Sequence, residues 1–173
     1  MARDQHDQDG LYAQAIAAHG PALARLARAV EADADRALDL EQDMHLGLWR
    51  SFAGYDGRCA IGTWTFRVTH NIAAAHRRGG ARSMKLVGLD EAEALAGTAD
   101  PERDAGEAHA LARLRRLVQQ LKPADRSVIL LWLEGLDAAA IAEVTGLSPA
   151  NVAVKTHRIR ALLARHFQTG DPT

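Results

Sequence analysis

The stretch from Leu121 to Phe167, LKPADRSVILLWLEGLDAAAIAEVTGLSPANVAVKTHRIRALLARHF, most narrows what this chain can fold into. A short helix is expected from Ala138 to Val144, followed by Thr145-Gly146-Leu147-Ser148. A second helix then opens at Pro149 and carries Lys155, His157, Arg158 and Arg160. Two helices joined by so short a Gly-containing turn make a helix-turn-helix pattern, whose second helix characteristically enters the DNA major groove.

The rest of the chain is compatible with helices alone. Ala and Leu dominate, β-branched residues are few and aromatics make up 5% of 173 residues, which favours an all-α fold of one domain or two small ones. Cys59 is the single cysteine, so no internal disulfide can form, and a reducing cytoplasm is the expected location. No apolar run approaches the ~20 residues a membrane span needs, so no membrane insertion is expected. The polar start MARDQHDQDG does not read as a signal peptide.

Charge is unevenly spread. The formal net charge is −1, yet residues 111–173 hold nine basic and five acidic side chains, a net of +4. Residues 1–78 hold nine and ten, and residues 79–110 hold three and seven. The basic part thus coincides with the helix-turn-helix, as contact with phosphates requires. The modest total implies that the chain relies on a larger partner for affinity.

Leu23, Leu26, Ala27 and Val30 recur with helical spacing, and Gly20-Pro21 suggests a break or a helix start before them. Asp39 to Arg50 is expected to form another helix, with Leu40, Met44 and Leu48 along one stripe. Asp39, Gln42, Asp43 and Leu46 line the neighbouring stripe, an acidic and polar face with little reason to be buried. The segment SFAGYDGRCAIG (51–62) interrupts with three glycines. A third helix, Thr63 to Arg78, holds Trp64, Val68 and Ile72 on one stripe and ends in His76-Arg77-Arg78, which suits the helix dipole. Residues 79–106 read as a flexible linker. A helix from Glu107 to Gln120 follows, with Leu111, Leu114, Val118 and Leu121 as its apolar stripe. Pro123 starts the next, whose Val128, Leu131 and Trp132 point to a core.

Three stretches, in this order, resemble bacterial RNA polymerase sigma factors of the extracytoplasmic-function type in the sigma-70 family. Asp39-Leu40-Glu41-Gln42-Asp43-Met44 with Leu48-Trp49-Arg50 is similar to that family's polymerase-binding helix. Phe52, Gly54, Gly57, Thr63-Trp64, Arg67-Val68-Thr69-His70-Asn71 and Arg77-Arg78 resemble the part that melts and reads the minus-ten element. Asn151-Val152-Ala153-Val154-Lys155 and His157-Arg158-Ile159-Arg160 resemble the helix that reads the minus-thirty-five element. The resemblance covers residues 12–78 and 107–167. It implies two helical domains, region 2 over 1–78 and region 4 over 107–173, joined by the linker at 79–106.

The same resemblance implies roles. Asp39, Gln42, Asp43 and Leu46 would dock on core RNA polymerase, the acidic members against a basic coiled coil. Asn71, Ala74, Ala75 and His76 are the candidates to meet minus-ten duplex, and Arg77 and Arg78 its phosphates. The 51–62 loop would receive a flipped base, its glycines at 54, 57 and 62 letting backbone come close. Phe52 and Trp64 are expected in the core, and Tyr55 is open between stacking on a base and packing. Ala153, Val154, His157 and Arg158 would face the minus-thirty-five groove, with Lys155 and Arg160 towards the DNA backbone. Arg158 is the expected base reader, since Arg to guanine is the commonest specific contact.

The implied partners are core RNA polymerase, promoter duplex with its melted minus-ten strand, and an anti-sigma protein. Ala138-Ala139-Ala140, Thr156 and Gly79-Gly80 depart from the family pattern and bear on affinity more than on fold. His70 and His76 lie on different helix faces, and no HExxH, CxxC, Walker A or GxGxxG spacing exists, so neither a metal, a cofactor nor an enzyme activity is expected. Two alternatives remain: a sigma-like decoy that binds an anti-sigma partner without promoter activity, and a helix-turn-helix regulator of another class.

Overall fold

The computed structural model describes residues 5–79 and 107–168, with side chains at 7–78 and 111–165. The expected linker, residues 79–106, lies outside the described residues apart from Gly79, which ends a helix. Every regular element described is helical, so the all-α expectation holds. The helices fall into two compact units.

The first unit is built on α1 (Gln5–Val30), α2 (Ala34–Ser51) and α3 (Ile61–Gly79), with a 3₁₀ turn at Phe52–Gly54. α1 corrects the sequence reading, because it runs unbroken through Gly20-Pro21. Gly20 has no Cβ to meet the proline ring, which relieves the usual pre-proline clash. Ala15, Ala22, Leu23, Leu26, Ala27 and Ala29, all buried, hold the helix against its neighbours on both sides of the proline. Packing of an apolar face outweighs the local penalty.

α2 starts five residues earlier than expected, because Asp33 caps it: its carboxylate accepts from the Arg36 N–H at 3.0 Å. Leu40, Met44 and Leu48 are fully buried, as their spacing predicted. Each contributes about 1.5–3 kcal/mol by leaving water. Polar side chains close the seam with α1: Gln8 Nε2 donates to the Trp49 carbonyl at 2.7 Å, Trp49 Nε1 donates to Asp9 at 2.8 Å, and Tyr12 and His45 are hydrogen-bonded at 2.8 Å.

α3 buries Thr65, Phe66, Thr69 and Ala73, whereas Trp64, Val68 and Ile72 are half-buried. The inward face is thus rotated from the one the apolar spacing suggested. The two threonines turn inward because each hydroxyl donates to its own helix, Thr65 to the Ile61 carbonyl and Thr69 to the Thr65 carbonyl. Their methyl groups then pack as apolar surface.

The second unit is built on α4 (Glu107–Gln120), α5 (Pro123–Leu133) and α7 (Pro149–Gln168); the short α6 (Ala138–Thr145) precedes α7 and belongs to this unit as far as Ala142. Leu117 and Val118 of α4 and Leu121 just after it are buried, while Leu111 is 48% exposed, so the apolar stripe lies further along than expected. Val128, Ile129 and Leu131 of α5 and Val152, Ile159 and Leu162 of α7 are all buried, and the two helices pack together. α5 closes with Gly135 at φ +85°, whose N–H donates to the Trp132 carbonyl while the Leu136 N–H donates to that of Leu131. That pair of hydrogen bonds is a Schellman ending, which needs the left-handed backbone glycine tolerates. Asp137 then caps α6 through the Ala140 N–H at 2.8 Å, and Ser148 caps α7 through the Asn151 N–H at 3.2 Å.

Candidate functional site

Three surfaces carry the side chains singled out by the sequence. On α2, Asp39, Gln42, Asp43 and Leu46 are all exposed and share one face, opposite the buried Leu40, Met44 and Leu48. Leu38, 51% exposed, joins Leu46, 47% exposed, on that face. Leu38 was not singled out, although its i, i+4, i+8 relation to Gln42 and Leu46 was readable in the sequence. The surface is therefore two carboxylates and an amide flanked by two leucines, suited to a partner with cations beside apolar groups.

The second surface is the loop before α3 and the far half of α3. Phe52 is fully buried. Tyr55 is half-buried, its hydroxyl donating to the Cys59 carbonyl at 2.6 Å and its ring edge-on to Phe52 and to Trp64. Trp64 donates from Nε1 to Ser51 Oγ at 2.9 Å and lies under the Arg67 guanidinium at 4.8 Å. Of the three loop glycines, Gly57 alone needs a left-handed backbone, φ +78°. Gly62 lies in the first turn of α3, where a Cβ would come within 2.9 Å of His19 Nε2. Its service is to packing.

Further along α3, Asn71, Ala75 and Arg78 are exposed at i, i+4 and i+7, forming one outward stripe. Ala74, His76 and Arg77 are half-buried beside it. Tyr55 is not part of this stripe, since its partner Trp64 lies seven residues, about 10 Å of helix, before Asn71. His76 Nε2 lies 3.2 Å from Glu31, which also pairs with Arg36 at 3.2 Å and accepts from the Asp33 N–H. Burial pushes the Glu31 carboxyl up, but the Asp33 N–H, His76, Arg36 and the Ala32 N–H together hold it below its ordinary value. Burial lowers Arg77, and burial, with the charge of Arg77 as a smaller cause, lowers His70 despite a hydrogen bond with Asn71.

The third surface is α7. Ala153, Val154, His157, Arg158 and Arg160 are exposed, opposite the buried Val152, Ile159 and Leu162. Ala153, His157 and Arg160 border an open groove shared with Trp132, Leu136 and Asp137. The Arg160 guanidinium sits 5.6 Å from the Trp132 ring centre. Lys155 differs from its neighbours: it is half-buried and its Nζ lies 2.5 Å from Asp125 Oδ1 of α5. Asp125, overlooked in the sequence, is only 5% exposed.

The second unit carries a capped helix-turn-helix, an arrangement typical of DNA-binding proteins, and comparison with known proteins narrows the class. The pattern of sigma-70 region 2 matches residues 15–83, and that of sigma-70 region 4 matches residues 111–163. The RNA polymerase sigma factor CnrH of Cupriavidus metallidurans is 30% identical over 164 residues, covering 88% of this chain and 84% of that protein. The RNA polymerase sigma factor NccH of Alcaligenes xylosoxydans xylosoxydans is 28% identical over 165 residues, covering 91% and 87%. Among solved structures, CnrH in complex with the cytosolic domain of CnrY aligns with a TM-score of 0.63 at 24% identity, over 97% of this chain and all of that one. The sigma factor RpoE with the anti-sigma factor NepR from Bartonella quintana gives 0.65 at 17% identity, over 91% and 96%. The chain belongs to the sigma-70 family of bacterial RNA polymerase sigma factors, in its extracytoplasmic-function group. Members of this class regulate transcription without being catalysts themselves. Among the described residues, no helix is long and apolar enough to cross a membrane.

Proposed function

We propose that this chain binds core RNA polymerase through α2 and directs it to a two-part promoter. In this reading residues 1–78 act as region 2, residues 79–106 as linker and residues 107–173 as region 4. The observation that carries it is the two-faced α2: Leu40, Met44 and Leu48 face inward, and Asp39, Gln42, Asp43 and Leu46 face outward together. The two exposed leucines beside the carboxylates supply the apolar contact that a docking surface uses. Asn71, Ala75 and Arg78 of α3 would meet the minus-ten duplex, with Ala74, His76 and Arg77 supporting that stripe. The melted strand would approach the Tyr55–Trp64–Arg67 cluster, where a base stacked on an aromatic ring gains about 1–3 kcal/mol. Ala153, Val154, His157 and Arg158 would face the minus-thirty-five groove, flanked by Lys155 and Arg160.

Two relatives of solved structure are held by CnrY's cytosolic domain and by an anti-sigma factor. That supports an anti-sigma protein as this chain's inhibitor, covering the docking and DNA faces in the cytoplasm. The experiment is reconstitution of the purified chain with core RNA polymerase and sequencing of run-off transcripts from genomic DNA. Discrete start sites sharing two spaced upstream motifs are the expected result. Core binding without specific starts would move the reading to a decoy, and no core binding to a regulator of another class.

A further inference from the structure

Two consecutive side chains in the first turn of α5 are buried and charged, Asp125 at 5% and Arg126 at 4% exposure. They reach in different directions. Arg126 donates from Nη2 to the Gln119 and Leu121 carbonyls and so closes the end of α4. Asp125 takes the Lys155 ammonium of α7 at 2.5 Å. Lys155 lies on α7 between Val152 and Ile159, both fully buried, three residues before it and four after. The pair is therefore on the core side of α7, while Ala153, Val154, His157 and Arg158 point outward. An ammonium so close to a buried carboxylate is already neutralised. Moving it to a phosphate would leave that carboxylate buried and alone, which is strongly unfavourable.

We propose that Lys155 is a positioning residue: through Asp125 it fixes the rotation of α7 on α5, presents Ala153, Val154, His157 and Arg158 to DNA, and makes no phosphate contact itself. The inference rests on the DNA-binding reading above, and it reverses the role that a lysine on a recognition helix ordinarily suggests.

The test uses the full-length chain and a fluorescein-labelled random-sequence duplex, with anisotropy read at a series of KCl concentrations. Lys155→Met, Asp125→Asn, the double variant and Lys155→Arg are compared at a temperature where circular dichroism shows each fully folded. Lys155→Met and Asp125→Asn are each expected to lower affinity by about ten-fold, with the double variant no worse than either. Lys155→Arg keeps affinity, and the slope of log affinity against log salt stays at the wild-type value in all of them. A slope shallower by about 0.9 in Lys155→Met, with Asp125→Asn at wild-type affinity, marks a lost phosphate contact and overturns the proposal. Wild-type affinity in both single variants, with only their melting temperatures lowered, overturns it too, since the pair is then merely structural. Should Lys155→Met not fold, Asp125→Leu with Lys155→Met replaces the ion pair by apolar groups, and the same slope criterion applies. Where the free chain binds too weakly to read, the same variants are compared on core polymerase, and a wild-type chain that adds no affinity for duplex there would instead overturn the DNA-binding reading, and the inference with it.

Discussion

His70 stands on the inner side of the outward stripe of α3, where burial, and secondarily the Arg77 charge, disfavour its protonated form. Its folded pKa lies below the ordinary 6.5, so the unfolded chain takes up the proton first. Its contribution to stability is therefore complete above 6.5 and is lost as pH falls from there towards the folded value. Glu31 also has a depressed pKa, but its contribution is lost only below its ordinary 4.5, so the two windows are separable. The melting temperature is expected to fall as pH drops below the ordinary histidine value of 6.5, and His70→Gln to flatten that fall. An equally steep fall in His70→Gln would remove His70 as the cause. On α7 the corresponding single-residue test is Arg158→Ala, expected to cost about 1–3 kcal/mol and relax one base position of the minus-thirty-five element. Selection of bound sequences by the reconstituted holoenzyme reads this out, and uniform weakening on all sequences would refute base reading.

At the scale of the element, α2 separates an inward face that holds the fold from an exposed face that the proposed docking would use. Met44→Ala removes a fully buried side chain and is expected to destabilise the first unit by about 2–5 kcal/mol, read by denaturant unfolding. Asp43→Arg changes an exposed face and is expected to leave unfolding unchanged while weakening core polymerase binding. Normal core affinity in Asp43→Arg would remove α2 from the docking role. Both faces of α2 were legible in the sequence because its buried residues are uniformly apolar and its exposed ones mostly polar. Elements whose signals are mixed were not so legible. α1 passes through Gly20-Pro21 because side-chain burial on either side outweighs a local breaker, and no local rule weighs that. α3 turns Thr65 and Thr69 inward, and a periodicity built on apolar residues passes over hydroxyls that bond to their own helix. The start of α2 was missed although its signal, Asp33 three residues before Arg36, was present. The turn and second helix of the helix-turn-helix were legible because Gly146, Ser148 and Pro149 mark boundaries by local chemistry alone, whereas Gly135 and Asp137, which mark the start of α6 in the same way, were not singled out. The Asp125–Lys155 pair joins residues 30 apart and has no local signature.

For the whole molecule, charge decides how the chain must work. It carries a net −1, and its positive excess, +4, is confined to residues 111–173. Even there the cations are partly committed: Arg126 to the carbonyls that end α4, Lys155 to Asp125, and Arg160 to the face of Trp132. That leaves fewer than the nine formal cations to displace counterions from DNA, and counterion release supplies most non-specific affinity. Under the proposed docking, the acidic and leucine-flanked face of α2 would offer the compensation, because a polymerase held there would add its own contacts with the promoter. The isolated chain is therefore expected to bind duplex DNA weakly, with a shallow salt dependence and little sequence preference. The same chain on core polymerase is expected to select discrete start sites. Anisotropy titrations of a promoter fragment with the chain alone and with the holoenzyme, at matched salt, measure the difference. A dissociation constant below about 10 nM for the chain alone at physiological salt, with discrimination against scrambled sequence, would show that region 4 needs no partner. The protein would then work as an autonomous DNA-binding regulator, and the docking face of α2 would need another use.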